Sequence, residues 1–301
     1  MNLRKEQFVN LHGHSCFSLF DGFGFPQEHM DFAYENGSRA LALTDHGSMN
    51  GLSYQLLRAK EMKAEGKDFK PIFGVEAYYI DSLEEWQSLR DEIAADKKRA
   101  KEIDKSDSAM VVEDEQRNDK RALARKRHIV LLAQNQKGLE NIYEMVSKSY
   151  SGDYFYRKPR IDWELLKKHS EGVIVATACL GGIAAGSMWK KQEEGEDAIV
   201  EDMIANLTKF RDVFGDRFYA ELQWNNIPEQ HLLNRCLIKV AKQLGIRLIS
   251  TCDSHYPRPD AWKDREVYKR LGWLGKMPEW MDDNIPESVE EIGYELYPKN
   301  A

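Results

Sequence analysis

Histidines and carboxylates recur in this chain at spacings that suit metal ions. His12-Gly13-His14 follows the apolar run Phe8-Val9-Asn10-Leu11. Side chains two apart on a strand project to one side, so both imidazoles can grip one ion. Asp253-Ser254-His255 repeats that spacing near the other end of the chain, and between the two pairs stand Asp21, Asp45-His46, Glu76, His128 and Cys179. Mixed imidazole and carboxylate donors suit Zn, Mn or Fe, and a thiolate at Cys179 favours Zn. His29, His169 and His231 sit in polar helical contexts and read as surface residues.

Short apolar segments that alternate with stretches of helical periodicity would carry these donors. Strands are expected at Phe8 to Leu11, Ala40 to Leu43, Ile72 to Tyr79, Ile129 to Ala133, Val173 to Thr177, Arg217 to Leu222 and Arg247 to Thr251. Helices are expected at Pro26 to Glu35, Leu52 to Ala64, Lys137 to Lys148, Ala198 to Phe214 and Glu229 to Leu244, with Gly37, Gly66, Gly215 and Gly245 as stops. Such alternation implies a mainly parallel sheet with helices outside it, open or closed into a TIM-like barrel. Sites in these folds form where the C-terminal ends of strands meet, which is where nearly all of the donors fall. Residues 81–127 break the rhythm with dense charge of both signs and read as a solvated helical insertion. Residues 277–301 read as a connecting tail, and Asp282-Asp283 within them as an exposed loop pair.

Composition narrows the class. Over 301 residues, 42% hydrophobic content excludes global disorder, and no apolar run is long enough to span a bilayer. Four scattered cysteines without a disulfide framework and the absence of a signal-like start read as a soluble, cytoplasmic protein; Cys16, Cys236 and Cys252 are expected to be structural. A net charge of -7 argues against wholesale wrapping of nucleic acid but leaves room for a local phosphate site.

The blocks LHGHSCFSLFDG, ALTDHG, PIFGVEAYY, HIVLLAQNQKGLENI, YRKPRIDWELL, ATACLGG, FYAELQ and TCDSHY resemble the PHP (polymerase and histidinol phosphatase) domain, in the form found at the N-terminus of C-family bacterial-type replicative DNA polymerases of the polymerase III alpha type. The resemblance implies an α/β fold, a distorted TIM-like (β/α)7 barrel with the charged insertion at 81–127, over residues 1–276. It implies three divalent ions, with zinc, manganese, iron or a mixture possible. His12, His14 and Asp253 would hold one, with Glu76 bridging to another; Asp21, His46 and His255 would hold the second, and His128 and Cys179 would share the third with Glu76. Asp45 would stand behind them and orient an imidazole. Ala178 before Cys179 departs from the family pattern without touching a ligand.

The chemistry that follows is phosphodiester hydrolysis by ion-activated water, with Asp21, His46, Glu76 and His255 at its centre. By resemblance the substrate is a single-stranded DNA 3′ end, which would make the chain a proofreading-type 3′ to 5′ exonuclease. Arg157, Lys158 and Arg160, with Arg258 beyond them, are candidates for gripping the phosphate backbone, and Tyr154, Phe155 and Tyr156 for stacking a base. Expected partners are a polymerase body C-terminal to the chain and replication proteins, with no membrane. Two other readings compete: a histidinol-phosphate-like small-molecule phosphatase, against which KPRID and LLAQNQKGLENI argue, and a structural metal-binding module that supports a polymerase.

Overall fold

The computed structural model describes residues 8–103, 118–272, 285–288, 291 and 295–299. Its elements in chain order are α1 (Pro26–Glu35), β1 (Ala40–Leu43), α2 (Leu52–Ala64), β2 (Lys70–Ile80), α3 (Leu83–Ile103), β3 (Arg127–Ala133), α4 (Gln136–Ser149), β4 (Phe155–Tyr156), β5 (Lys158–Asp162) and α5 (Trp163–Lys168). There follow β6 (Val173–Ala176), α6 (Ala185–Lys191), α7 (Glu196–Phe214), β7 (Phe218–Leu222), α8 (Pro228–Leu244), β8 (Arg247–Ser250) and α9 (Trp262–Leu271).

The strands form one curled sheet in the order β4-β5-β2-β3-β6-β7-β8, with β1 on β2. β2 is long enough to take two partners on one edge: Lys70 to Phe73 pair with β1, and Tyr78 to Ile80 with β5. Residues 10–14 close the curl. Thr44 N donates to Gly13 O at 2.7 Å on the β1 side, and His14 N donates to Ser254 O at 2.6 Å beyond β8. With that segment as a seventh stave the sheet becomes a distorted α/β barrel.

Two expectations change. Phe8 to Leu11 is not a regular strand; its neighbourhood makes only the isolated parallel bridge Gly13 to Ser254 and scattered backbone bonds. The sheet is mixed rather than mainly parallel, because β3 runs antiparallel to both β2 and β6. The insertion explains the reversal: the chain leaves β2 at Ile80 and returns at Arg127, which pairs with Tyr79, so β3 starts at the end where β2 finished. His128 therefore opens its strand on the rim where its neighbours close theirs.

Alternation within strands builds two apolar layers. Ile129, Leu131, Val173, Val175, Phe218 and Ala220 face outward onto helices, while Val130, Leu132 and Ala176 fill the barrel interior. On α7, Ile199, Met203, Leu207, Phe210 and Phe214 recur at helical spacing and are buried against the outer layer. Full burial of one such side chain stabilises by about 1.5–3 kcal/mol. Gly37, Gly66, Gly215 and Gly245 all adopt positive φ at the predicted helix stops.

The insertion is anchored at its base. Trp86 of α3 is buried, donates its indole N–H to Leu123 O at 2.9 Å and packs on Tyr156. The charge run at 113–115, the pair at 282–283 and residues 277–284 of the tail lie outside the described residues, and of the run at 97–99 only the Lys98 side chain is described, as exposed. Further on, Leu296 is buried against Tyr256 and Ala261. No described helix is long and apolar enough to cross a membrane.

Candidate metal centre

The rim brings together all nine donors that the sequence singled out. His12 and His14 come from the closing segment, Asp21 from the loop after it, and His46 from the end of β1. Glu76 stands mid-β2, where His46 makes a parallel bridge to it. His128 is the second residue of β3, and its backbone accepts from Ile183 and donates to Gly181, which fixes the loop carrying Cys179 beside it. Asp253 and His255 leave β8.

Glu76 is the hub. Its carboxylate lies 3.3 Å from His12 Nε2, 3.5 Å from His14 Nε2, 2.6 Å from His46 Nδ1 and 3.1 Å from His128 Nδ1. Cys179 Sγ is 3.7 Å from Glu76 and 3.6 Å from His128 Nδ1. Asp253 Oδ1 is 3.3 Å from both His12 Nε2 and His14 Nε2. Asp21 Oδ2 is 3.1 Å from His46 Nε2 and 3.5 Å from His255 Nε2. Three sets of donor atoms each converge within ion-binding range: His12, His14 and Asp253; His46, Glu76 and His128; and His14, His46 and His255.

Behind these donors a ring of hydrogen bonds selects tautomers. His12 Nδ1 lies 2.7 Å from Glu221 Oε1, so it carries the proton there and leaves Nε2 as a lone pair aimed at the centre. Glu221 is itself held by Thr251 Oγ1 at 2.6 Å. His14 Nδ1 meets Ser18 Oγ at 2.9 Å, and Ser18 donates to Asp45 Oδ1 at 2.9 Å. Asp45, expected to orient an imidazole, thus does so through the Ser18 hydroxyl, while Ser15 N and Oγ bind its other lone pairs. His255 donates from Nδ1 to Asp253 O at 2.7 Å.

Electrostatics show what this arrangement lacks. Burial opposes charge on His12, yet Asp253, Glu221 and Glu76 push its pKa well above the ordinary value. Glu76 and Asp21 overcome burial to push His46 up to about 10. Burial, with His46 and His255, pushes His14 down to about 3. Against burial, His128, His46 and His12 hold Glu76 well below the usual carboxylate range. Burial and the Glu76 charge push the Cys179 thiol up. Glu76 Oε2 and His46 Nδ1 are buried 2.6 Å apart, and Asp253 Oδ1 lies 3.3 Å from two imidazole nitrogens, yet none of the three makes a hydrogen bond; His12 Nε2 and His14 Nε2 likewise face each other at 3.2 Å. Facing lone pairs and orphaned carboxylate oxygens fit divalent cations, whose binding requires deprotonated ligands. Asp253 and Ala178 hold positive φ of 47° and 60°, a local strain at two donor-bearing turns.

Above the donors opens a cleft of about 640 Å³ with Asp21, His46 and His128 on its floor and Phe17, Phe20, Tyr78, Tyr150 and Phe155 in its walls. Lys126 and Lys158 reach over the Tyr78 ring, at 5.0 and 5.7 Å from its centroid. Among described residues neither makes an ion pair, and burial with the nearby Lys158 and Arg160 charges lowers the Lys126 pKa.

The expected phosphate-gripping set is thereby redrawn. Lys158 lines the cleft, whereas Arg157 and Arg258 are exposed but do not line it. Arg160 is only 1% exposed, donates to Asp153 O and Tyr154 O, and stacks on Trp86 at 4.1 Å. It is a packing residue of β5, because the block KPRID is a strand whose Asp162 caps α5 through Leu165 N. Phe155 is exposed over the cleft and stacks on Tyr150, Tyr154 bonds to Asp162, and Tyr156 packs on Trp86. Likewise His29 is fully buried, not a surface residue, and donates from Nε2 to Phe23 O at 2.9 Å.

Residues that sequence reasoning missed have distinct signals. Glu221 is a lone charge in the strand block FYAEL, a pattern that points to a buried partner. Lys126 sits in the run Arg125-Lys126-Arg127 directly before His128. Arg265, which donates from Nε to Asp21 O at 2.8 Å and from Nη2 to Asp21 Oδ1 at 2.6 Å, has no local signal at all.

The chain is 37% identical over 294 residues to the DNA polymerase III subunit alpha of Aquifex aeolicus, covering 96% of this chain and 22% of that protein. It is 32% identical to the same subunit of Borreliella burgdorferi (84% and 18% covered) and 31% identical to that of Thermus aquaticus (87% and 18% covered). The chain thus spans about a fifth of the length of these relatives. The sequence model of the PHP domain matches residues 10–225, which takes in seven of the nine rim donors, and the chain belongs to the PHP domain family.

Proposed function

We propose that the chain is a metal-dependent phosphodiesterase that removes nucleotides from the 3′ end of single-stranded DNA, a 3′ to 5′ exonuclease suited to proofreading. One observation supports this most: nine donors, with buried carboxylate oxygens that face imidazoles without a hydrogen bond, converge under a cleft lined by exposed aromatic rings and by Lys126 and Lys158, which make no ion pair among the described residues. His12, His14 and Asp253 would hold one divalent ion, Asp21, His46 and His255 a second, and His128 and Cys179 a third, with Glu76 shared between the first and the third. Zinc, manganese and iron all suit the donors. Such ions, when bound, make water nucleophilic near neutral pH and polarise phosphoryl oxygens.

The chain's own side chains do the remaining work. Glu221 and the Asp45–Ser18 pair keep the imidazole lone pairs of His12 and His14 aimed inward. Lys126 and Lys158 supply positive charge at the mouth, where a phosphodiester relieves their mutual repulsion. Phe155, backed by Tyr150 at 6.0 Å, offers a ring face to the terminal base. Attack by water at phosphorus breaks the bond to O3′ and yields a nucleoside 5′-monophosphate and a shortened strand. In this reading the product strand would return to a polymerase body, as the names of the relatives suggest.

The test is a 5′-labelled single strand incubated with metal-loaded protein. A ladder of products shortened from the 3′ end is expected. Asp21→Ala and His255→Ala should lose more than the roughly 10–100-fold that removal of an outer hydrogen-bond partner causes, and Lys126→Ala should raise KM with kcat little changed. Metal-dependent digestion that survives both ligand substitutions sinks the ligand assignment. A fully loaded protein that cleaves neither DNA nor a phosphomonoester is instead a structural metal-binding module.

A further inference from the structure

Asp21, on the floor of the cleft, and His255, buried 3.5 Å from it, are each held by chain that follows them in sequence. Arg265 on α9 is buried and grips both the backbone and the carboxylate of Asp21. From the same helix Tyr268 packs on Phe20 at 5.5 Å and Phe23 at 6.3 Å, the residues around Asp21. At His255 the latch is made of backbone. The amides of His255 and Tyr256 both donate to Leu296 O, at 2.6 and 3.1 Å, and Leu296 N donates back to the Tyr256 hydroxyl at 2.8 Å.

These contacts form one unit. Leu296, Tyr256 and Ala261 are buried together, with Phe23, Trp262 and Tyr297 packed against them, and Phe23 N donates to His255 O at 2.8 Å. Asn36 Nδ2 holds Pro298 O at 3.4 Å. The other donors have separate anchors. His12 and His14 lean on Glu221 and Ser18, and His128 and Cys179 on the paired backbone of β3 and the loop after β6.

We propose that occupancy of the metal position served by Asp21, His46 and His255 is coupled to docking of α9 and residues 295–298, with Arg265 and Tyr256 as positioning residues. The inference rests on the ligand assignment given under the proposed function. A metal position needs its donors fixed to within fractions of an ångström. With the latch open, the His255–Tyr256 backbone and the Asp21 carboxylate lose their outer supports, while Asp253 stays beside His12 and His14 through the bonds of Ser254 to their backbone, and the donors around Glu76 keep theirs. Linkage makes the effect reciprocal: an ion that prefers the docked state must tighten docking by the same factor.

Three measurements on the full chain test this: ion content after dialysis, manganese titration by calorimetry, and hydrogen exchange at the Leu296 amide with and without manganese. Tyr256→Phe removes the latch acceptor, and Leu296→Asp removes the apolar anchor. Both are expected to weaken one class of manganese site by about 10-fold or more, with about one ion equivalent lost on dialysis and the remaining sites unchanged. In the wild type, manganese should slow exchange at Leu296. Full stoichiometry and affinity in a variant whose tail is released to protease would overturn the coupling, as would Leu296 exchange indifferent to manganese. If Leu296→Asp fails to fold, Tyr256→Phe and the wild-type exchange decide. Asp21→Ala is the control on the ligands: unchanged ion content there defeats the assignment and the coupling with it. None of these readouts requires DNA cleavage, so loss of the exonuclease reading leaves this test intact.

Discussion

At His12 the ring nitrogen turned away from the cleft meets Glu221, a contact 2.7 Å long and wholly buried. That bond decides which nitrogen is free to bind metal. Glu221→Ala should lower metal affinity about 10–100-fold with the fold retained, read by calorimetric titration beside circular dichroism. His29 carries a different consequence. Burial pushes its pKa down to about 4, against the pull of the Phe23 carbonyl, so the folded state holds it neutral. Its stabilising contribution is complete above the unfolded value near 6.5 and is lost as pH falls through 6.5 toward 4, amounting at most to roughly 3 kcal/mol. His29→Gln should therefore flatten the fall in unfolding free energy over that interval by about one proton, measured by urea denaturation at a series of pH values. The role of His29 was not legible in sequence, whereas Glu221 left a signal as a lone charge in an apolar strand. His29 lies in a stretch with polar neighbours, and its burial depends on Phe23, six residues away.

Elements set where the donors stand, and a few close approaches set the elements. Gly13 lies against the strand it bridges: a Cβ there would be 2.6 Å from Ser254 Oγ and 3.3 Å from Ala42 O. Gly13→Ala should cost about 1–3 kcal/mol of stability by overpacking, seen as a lower urea midpoint, and should weaken metal binding because His12 and His14 flank the displaced backbone. Trp86→Ala should cost about 3–5 kcal/mol yet leave ion content unchanged, since Trp86 anchors α3 and Arg160 rather than the rim. Periodicity located α1, β1 and α2 with the observed bounds, because apolar spacing, Pro26 at a helix start and glycine stops are local signals. It could not reveal that β3 is antiparallel, since strand direction is set by where the insertion returns. It also passed over β5, because a Pro, a Lys and an Arg in five residues read as loop until Arg160 is seen packed on Trp86. Most of the candidate donors were legible because strand ends converge, so polar residues that follow apolar runs tend to meet; Glu76 within β2 and His128 at the start of β3 do not fit that rule, and the set of nine came from the resemblance to the PHP domain.

At the scale of the molecule, a net charge of -7 coexists with a cleft at whose mouth stand Lys126 and Lys158, neither of which makes an ion pair among the described residues. Under the proposed function, attraction for DNA would be local and should fall with salt as for a small number of phosphate contacts, about one to two by the slope of log affinity against log salt, measured by fluorescence anisotropy with a labelled single strand. The closure of the barrel by residues 10–14 carries one more consequence, and it concerns time. Gly13 meets Ser254, so the first donors synthesised wait for nearly the last, and a contact of that sequence separation forms late in folding. A nascent or partly refolded chain has strands and helices but no complete rim. Metal uptake should therefore follow the slowest refolding phase rather than the first collapse, so a ribosome-bound chain that has not yet exposed His255 cannot compete for the cell's ions with its full set of ligands.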